Sequence, residues 1–175
     1  MKEAILKIIY YVYGRPLSTL IIWSVLILVF WTIINYFTSK RVTKILNLCM
    51  ALLIVSVIFF FTLTHRSVRL ERAIELMPFW SFMSYGSRQS AWLNAFFFLP
   101  LGLSLPYILP DKIKHKALGT IIIAFAFSTL IEAVQYIFAL GLCETDDVIM
   151  NTLGAAIGTL SFIISDRIKK RNRKQ

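Results

Sequence analysis

Residues 17–37 read LSTLIIWSVLILVFWTIINYF, an unbroken run without a charged side chain. A helix rises about 1.5 Å per residue, so this block crosses a hydrocarbon core of about 30 Å. It is too long for the apolar region of a signal peptide, and no small-residue cleavage site follows it. It is read as a retained membrane span. Four more apolar blocks follow, at residues 45–63, 92–109, 117–140 and 148–164. In lipid each span must satisfy its own backbone groups, which demands helices, and no ten-residue alternation suggests a barrel. Residues 1–15 are shorter and mixed. Ile5, Ile8, Ile9 and Val12 share one helical face with Lys2 and Lys7 nearby, which predicts a helix lying in the interface.

Composition agrees. The chain has 175 residues, 58% hydrophobic and only 16% charged, with a mean hydropathy of +0.72. Soluble domains are about 45–50% apolar and about 25% charged. A soluble globular domain, a disordered tail and a coiled coil are thereby excluded. The expected fold is an all-α integral membrane protein, a bundle of about five transmembrane helices forming a single membrane domain over residues 1–175.

The net charge is +10 and the pI about 9.9. The basic residues lie between and after the apolar blocks, so they are read as a topology signal and as attraction to membrane lipids, not as a nucleic-acid surface. Five spans place the termini on opposite sides. Lys40, Arg41, Lys44, Lys112, Lys114, Lys116 and the basic tail 166–175 share one side, about twelve basic residues. Lys2, Lys7, Arg15, Arg66, Arg69, Arg72 and Arg88 share the other, about seven. The more basic side is expected to be cytoplasmic, with the N-terminus outside and the loop 64–91 facing out. Cys49 and Cys143 fall near opposite faces, which disfavours a disulfide. His65 and His115 also fall on opposite sides, so no zinc site is expected, and both histidines read as solvated loop residues.

Polar residues inside the spans carry the functional content. A carboxylate in a span costs about 2.5–3.5 kcal/mol on insertion scales, so Glu132 needs a partner, a proton or a cavity. Ser128, Glu132, Gln135 and Ala139 follow helical spacing and form one face of the fourth span. Asp147, Asn151, Gly154, Gly158 and Ser161 form one face of the fifth. A short loop joins these spans, so they are antiparallel neighbours, and Gly154 with Gly158 permits a close helix approach. Counting back from a span end at Leu140, Glu132 lies about 12 Å below the surface. Asn94, Glu132, Gln135, Glu144, Asp147 and Asn151 then share the outer half of the membrane and predict an acidic, amide-lined pocket open to the outside. Each residue alone has a plainer role. Glu132 could be interhelical glue with Gln135 and Asn151. Asp146 and Asp147 could be acids favoured at a helix N-terminus. Gly154 and Gly158 read as packing, Pro100 as a kink, and Phe96, Phe97 and Phe98 as lipid-facing or core.

The order of these segments resembles a known family. ELMPFW (75–80), NAFFFLPLG (94–102) and IEAVQYIFALGLCETDDVIMNTLGAAIG (131–158) resemble the VanZ-like family over about residues 75–160. That family is typically marked by Asn before a Pro-Leu/Phe-Gly stretch, Glu-x-x-Gln, and an acidic loop leading into an Asp, Asn and glycine pattern. The resemblance places Asn94, Pro100 and Gly102 in the third-span motif, Glu132 and Gln135 in the fourth, and Asp147, Asn151, Gly154 and Gly158 in the last. Glu144 stands where many relatives have Asp. Many relatives also carry Arg just before the acidic loop, and none lies between Leu140 and Glu144, which leaves Arg69, Arg72 or Arg88 to substitute.

The resemblance implies a bacterial cytoplasmic-membrane protein of the cell envelope, and the founding members are associated with low-level resistance to teicoplanin-type glycopeptides. It implies no particular substrate. The favoured function is binding or shielding: the outer pocket engages an amphiphile, a lipoglycopeptide antibiotic or a lipid-linked peptidoglycan precursor. Teicoplanin has an acyl chain and vancomycin has none, so a membrane-embedded site can discriminate between them. The alternatives are an enzyme on a lipid-linked substrate, with Glu132 and Asp147 as acid and base, and a small lipid or proton-coupled transporter. No nucleophile stands beside a histidine, so no catalytic residue is assigned, and no cofactor or metal is expected. The sequence leaves the oligomeric state open.

Overall fold

The computed structural model describes residues 17–61, 71–83 and 88–172. The expected interfacial helix over residues 1–15, together with His65, Arg66 and Arg69, lies outside the described residues. Five helices are long and apolar enough to cross a membrane. They are α1 (Leu17–Phe37), α2 (Lys40–Phe59), α4 (Arg88–Ile108), α5 (Lys116–Ile137) and α6 (Thr145–Asn172). Two short strands, β1 (Ala73–Glu75) and β2 (Leu142–Glu144), and a single turn of helix, α3 (Trp80–Met83), lie at one end of the bundle. That end is called the loop end below. The other, where α1 meets α2 and α4 meets α5, is the basic end.

Several span boundaries differ from expectation, and those of α2 and α5 have a plain local reason. Helix α2 starts at Lys40, five residues early, because Ser39 caps it with its side chain on the Val42 amide. Helix α4 starts at Arg88 instead of residue 92, and runs on through Pro100 and Pro106. Helix α5 stops at Ile137 because Ala139 takes a left-handed backbone, φ 53°. Leu140 N–H then bonds the Gln135 carbonyl and Ala139 N–H that of Tyr136, a Schellman closure. Ala139 therefore leaves the helical face shared by Ser128, Glu132 and Gln135. Helix α6 continues to Asn172, so most of the basic tail is helical. At 28 residues it is about 42 Å long and outruns the hydrocarbon core.

The centre of the bundle is α4 packed on α6. A Cβ built at Gly102 would overlap the Ala155 carbonyl, one at Gly154 the Ala95 carbonyl, and one at Gly158 the Leu99 carbonyl. Two backbones touch along three successive turns, which is what small residues permit in lipid. Gly154 and Gly158 thus seat α6 on α4, the helix of Gly102 and Pro100. A buried cluster of Phe98, Leu101, Ala124, Ile131 and Ala155, with Ile58 from α2, fills the space among four helices. Helix α1 is peripheral: 6% of its most apolar window is buried within the chain, against 56% for α4. Its exposed Ile22, Trp23, Val25 and Phe30 are a lipid-facing surface.

Polar bonds attach α1 to its neighbours. Asn47 Nδ2 donates to Asn35 Oδ1 at 2.6 Å, and Trp31 Nε1 donates to Asn47 Oδ1 at 2.9 Å. Thr32 donates to Ser161 on α6 at 2.8 Å. Both asparagines are fully buried.

The glycine contacts make a graded prediction. Alanine at Gly102, Gly154 or Gly158 forces α4 and α6 apart and is expected to cost about 1–3 kcal/mol each. Gly119→Ala meets only side chains at 3.6 Å and is expected to be neutral or slightly stabilising. Thermal unfolding of the four variants in detergent, followed by tryptophan fluorescence, checks the ranking. Equal shifts at Gly119 and Gly158 would contradict the contact described.

Candidate functional site

The loop end collects the acidic and amide residues. Glu132 and Gln135 come from the last turns of α5, Asp146 and Asp147 from the first turn of α6, and Asn151 from one turn further on. All five are at most 5% exposed. Glu144, on β2, is half-buried. Because α5 ends at Ile137, Glu132 lies five residues, about 8 Å, below the helix end, shallower than the 12 Å expected.

The chain reversal after α5 supplies the first partner. The Glu144 backbone N–H donates to Glu132 Oε2 at 3.0 Å. A backbone amide aimed at a carboxylate lowers the cost of burying its charge. One turn deeper, Asn151 Nδ2 donates to Ser128 Oγ at 2.8 Å, which ties α6 to α5. Asn151 Oδ1 is buried without a hydrogen-bond partner among the described residues. Of the expected set, Glu132, Gln135, Glu144, Asp147 and Asn151 gather at this α5–β2–α6 junction. Asn94 does not join them by any hydrogen bond to a described residue; it is half-buried on α4, one residue before the Ala95–Gly154 contact. Pro100 and Gly102 lie deeper, with Ser104 Oγ donating to the Pro100 carbonyl.

Cys143 reports on this field. Burial pushes its thiol up, the neighbouring Glu132 carboxylate pushes it further, and Asp147 and Glu144 add to the effect. A nucleophilic cysteine needs the opposite environment. Among the described residues no group of three or more His, Cys, Asp and Glu side chains is placed to hold a metal ion.

Asp146, read from sequence as a helix-end acid, does more than favour the dipole. Its two carboxylate oxygens accept from the Phe79 and Ser81 backbone N–H groups, the latter at 2.7 Å. The bonds hold Phe79 in a left-handed conformation, φ 65°. They fasten the segment 76–83 over the start of α6. This strap exposes Leu76, Met77, Phe79, Trp80 and Met83, while Ser81 is buried. A parallel ladder, Ala73 to Leu142 through Glu75 to Glu144, ties its upstream side to β2 and sets two acidic residues side by side. Of the arginines considered as substitutes for the missing loop Arg, Arg72 lies over the Tyr136 ring at 6.0 Å and Arg88 donates to the Phe82 carbonyl at 3.1 Å.

Comparison with known proteins fits this arrangement. A family model described as VanZ/LLP1 matches residues 47–166, which include every residue of the site. Protein VanZ from Enterococcus faecium is 31% identical over 109 residues, a match covering 60% of this chain and 60% of that protein. No solved structure matches. The chain belongs to the VanZ/LLP1 family, and it is a multi-pass membrane protein.

Two outcomes follow from the geometry. Asp146→Ala removes two charge-assisted acceptors, each such bond contributing about 1.5–3 kcal/mol. Hydrogen exchange at the Phe79 and Ser81 amides is expected to rise sharply while the central turns of α4 and α6 stay protected; unchanged exchange at both amides would contradict the latch. In a Cys49→Ser background, alkylation of Cys143 at about pH 8 is expected to be slower than for an ordinary thiol, whose pKa is about 8.5. Glu132→Gln removes a negative charge, lowers the thiol pKa and speeds the reaction; a slower reaction would show that Glu132 does not act on this thiol.

Proposed function

We propose that this chain acts in the bacterial cytoplasmic membrane with its loop end outward, binding an amphiphile or a lipid-linked cell-wall component and contributing to tolerance of lipidated glycopeptides. The observation that carries this function is the Asp146 latch. It joins an apolar strap, of the kind that seats at a membrane interface, to a buried acidic and amide cluster. Such a pairing suits a ligand with an acyl chain and a cationic or amide-rich head. The strap takes the chain, and Glu132, Gln135, Glu144, Asp147 and Asn151 take the head as the β2 cover shifts. Kinship with Protein VanZ supports an envelope role.

Binding is favoured over catalysis because burial, reinforced by the neighbouring acids, raises the pKa of the Cys143 thiol beside them and makes it a poor nucleophile. The outward direction of the loop end rests on the basic residues at the opposite end. Labelling of Cys143 on intact cells by an impermeant thiol reagent reports that direction.

The test is drug susceptibility. Wild type, Glu132→Gln and Asp147→Asn are expressed at matched membrane levels in a susceptible Gram-positive host. Wild type is expected to raise the teicoplanin inhibitory concentration several-fold with little change for vancomycin, and both variants are expected to lose the effect. Equal protection against both drugs would overturn discrimination by the acyl chain. Full activity in both variants would remove the acidic cluster from the function.

A further inference from the structure

The two halves of α1 are held differently. Every hydrogen bond from α1 to another described element lies in residues 31–36: Trp31 and Asn35 with Asn47, Thr32 with Ser161, and Asn35 and Tyr36 with the end of α6. Residues 17–28, toward the loop end, make none to another described element, and the Ser24 hydroxyl turns back on the Leu20 carbonyl at 2.8 Å. This half is held by apolar contact alone, for which lipid supplies little drive.

Beneath it lies a groove of about 220 Å³ between α1, α4 and α6. Leu20, Trp92 and Phe96 are large residues of its lining, and Ala95 and Gly154 are small ones. Leu17 and Val25, eight residues apart, also line it, so it runs about 12 Å from the loop end toward the middle of the bundle. Small-molecule sites are about 300–1,000 Å³, so this groove is too small for a head group with rings and suits a single slender chain. The Ser24 hydroxyl, satisfied by its own helix, asks nothing of an occupant. At the loop end the groove meets the strap. Phe82 packs edge-on against Trp92 with ring centroids 6.0 Å apart, and both pack on Ala95. Strap and groove therefore form one apolar surface, and the part of α1 beside it has no polar fastening.

We propose that this groove is the seat of the ligand's acyl chain, an inference that rests on the binding function proposed above. The strap receives the chain at the interface, and the chain then runs between α1 and α4 toward Leu99 and Ile157. Helix α1 pivots on its bonds at residues 31–36 to admit it. A bulky head stays at the loop end, so the groove reads the presence of a chain and not the size of the head.

Photolabelling of the full chain in phosphatidylcholine nanodiscs tests this, with hexadecylamine bearing a terminal diazirine as the probe and mass spectrometry to locate the adducts. Adducts are expected at Leu20, Phe96 and Ile157 several-fold above those at Leu53 on α2 and Leu130 on α5, two exposed lipid-facing residues. Teicoplanin is expected to suppress the groove adducts and vancomycin to leave them. Val25→Trp, at an exposed position where a larger side chain disturbs no core, is expected to reduce them as well. Adducts spread evenly over the lipid-facing residues would show ordinary bilayer contact and overturn the seat. Groove adducts that teicoplanin leaves unchanged would overturn its assignment to the ligand's chain. The readout does not pass through drug tolerance. Displaced groove labelling without teicoplanin tolerance in cells would therefore remove the function proposed above and leave the groove standing.

Discussion

The contact of α4 with α6 is backbone on backbone, and the other features of the bundle are arranged around it. Lipid gives helices little hydrophobic reason to associate, so close packing and polar bonds must hold them. Gly102, Gly154 and Gly158 remove three side chains from the interface, so the Ala95, Leu99 and Ala155 backbones come into contact with the facing helix. Once α6 lies against α4 in this register, the neighbouring polar positions on α6 turn toward α5. Asn151 then finds Ser128, and Asp147 is buried beside the Glu132 helix. Two buried carboxylates, Glu132 and Asp147, are tolerable because this packing keeps lipid from them, and Glu132 also accepts from the Glu144 amide.

The loop end adds a second constraint, the sharp reversal at Ala139. A Schellman closure ends α5 immediately after the turn that carries Glu132 and Gln135. The chain doubles back as β2, and the Glu144 amide lands on Glu132. Asp146 and Asp147 then begin α6 about 100° apart around the helix, the step between consecutive residues. They serve different partners for that reason. Asp146 takes the strap amides, and Asp147 belongs to the cluster that surrounds Cys143.

Helix length and apolar content made the five spans legible, and helical spacing made the buried faces of α5 and α6 legible. The polar stripes from Asp147 to Ser161 and from Ser128 to Gln135 are buried where spacing put them. What stayed hidden depends on partners distant in sequence. An acid in the first turn of a helix looks the same whether it meets only the dipole or captures Phe79 and Ser81, so Asp146 could not be told from a helix-end acid. Asn35 and Asn47 lie in different apolar blocks, and their bond exists only because Ser39 starts α2 early and sets the hairpin register. The helical tail is similar. Residues 166–172 carry charges without an apolar period, yet Lys169 bonds the Asn35 carbonyl and Asn172 the Tyr36 hydroxyl, so α1 supports the last turns of α6. The end of α5 was hidden as well, since the left-handed residue that stops the helix is Ala139, a residue type that gives no such signal.

The two polar ends are separated by an apolar layer, and that bears on what the bundle can do. Between Ser128 and Asn151 at the loop end and Thr120 and Ser161 toward the basic end lie Phe98, Leu101, Ala124 and Ala155, all buried in one cluster. Gly154 and Gly158 continue the face of α6 there, and the space a side chain would take at each is filled by the α4 backbone. A proton or a lipid headgroup moving across would have to pass this layer, where the described residues offer no titratable side chain. An acidic end, a basic end and a packed middle give the bundle no continuous polar path. That arrangement agrees with the binding reading proposed above better than with passage, and both ends share the α4–α6 contact for their rigidity.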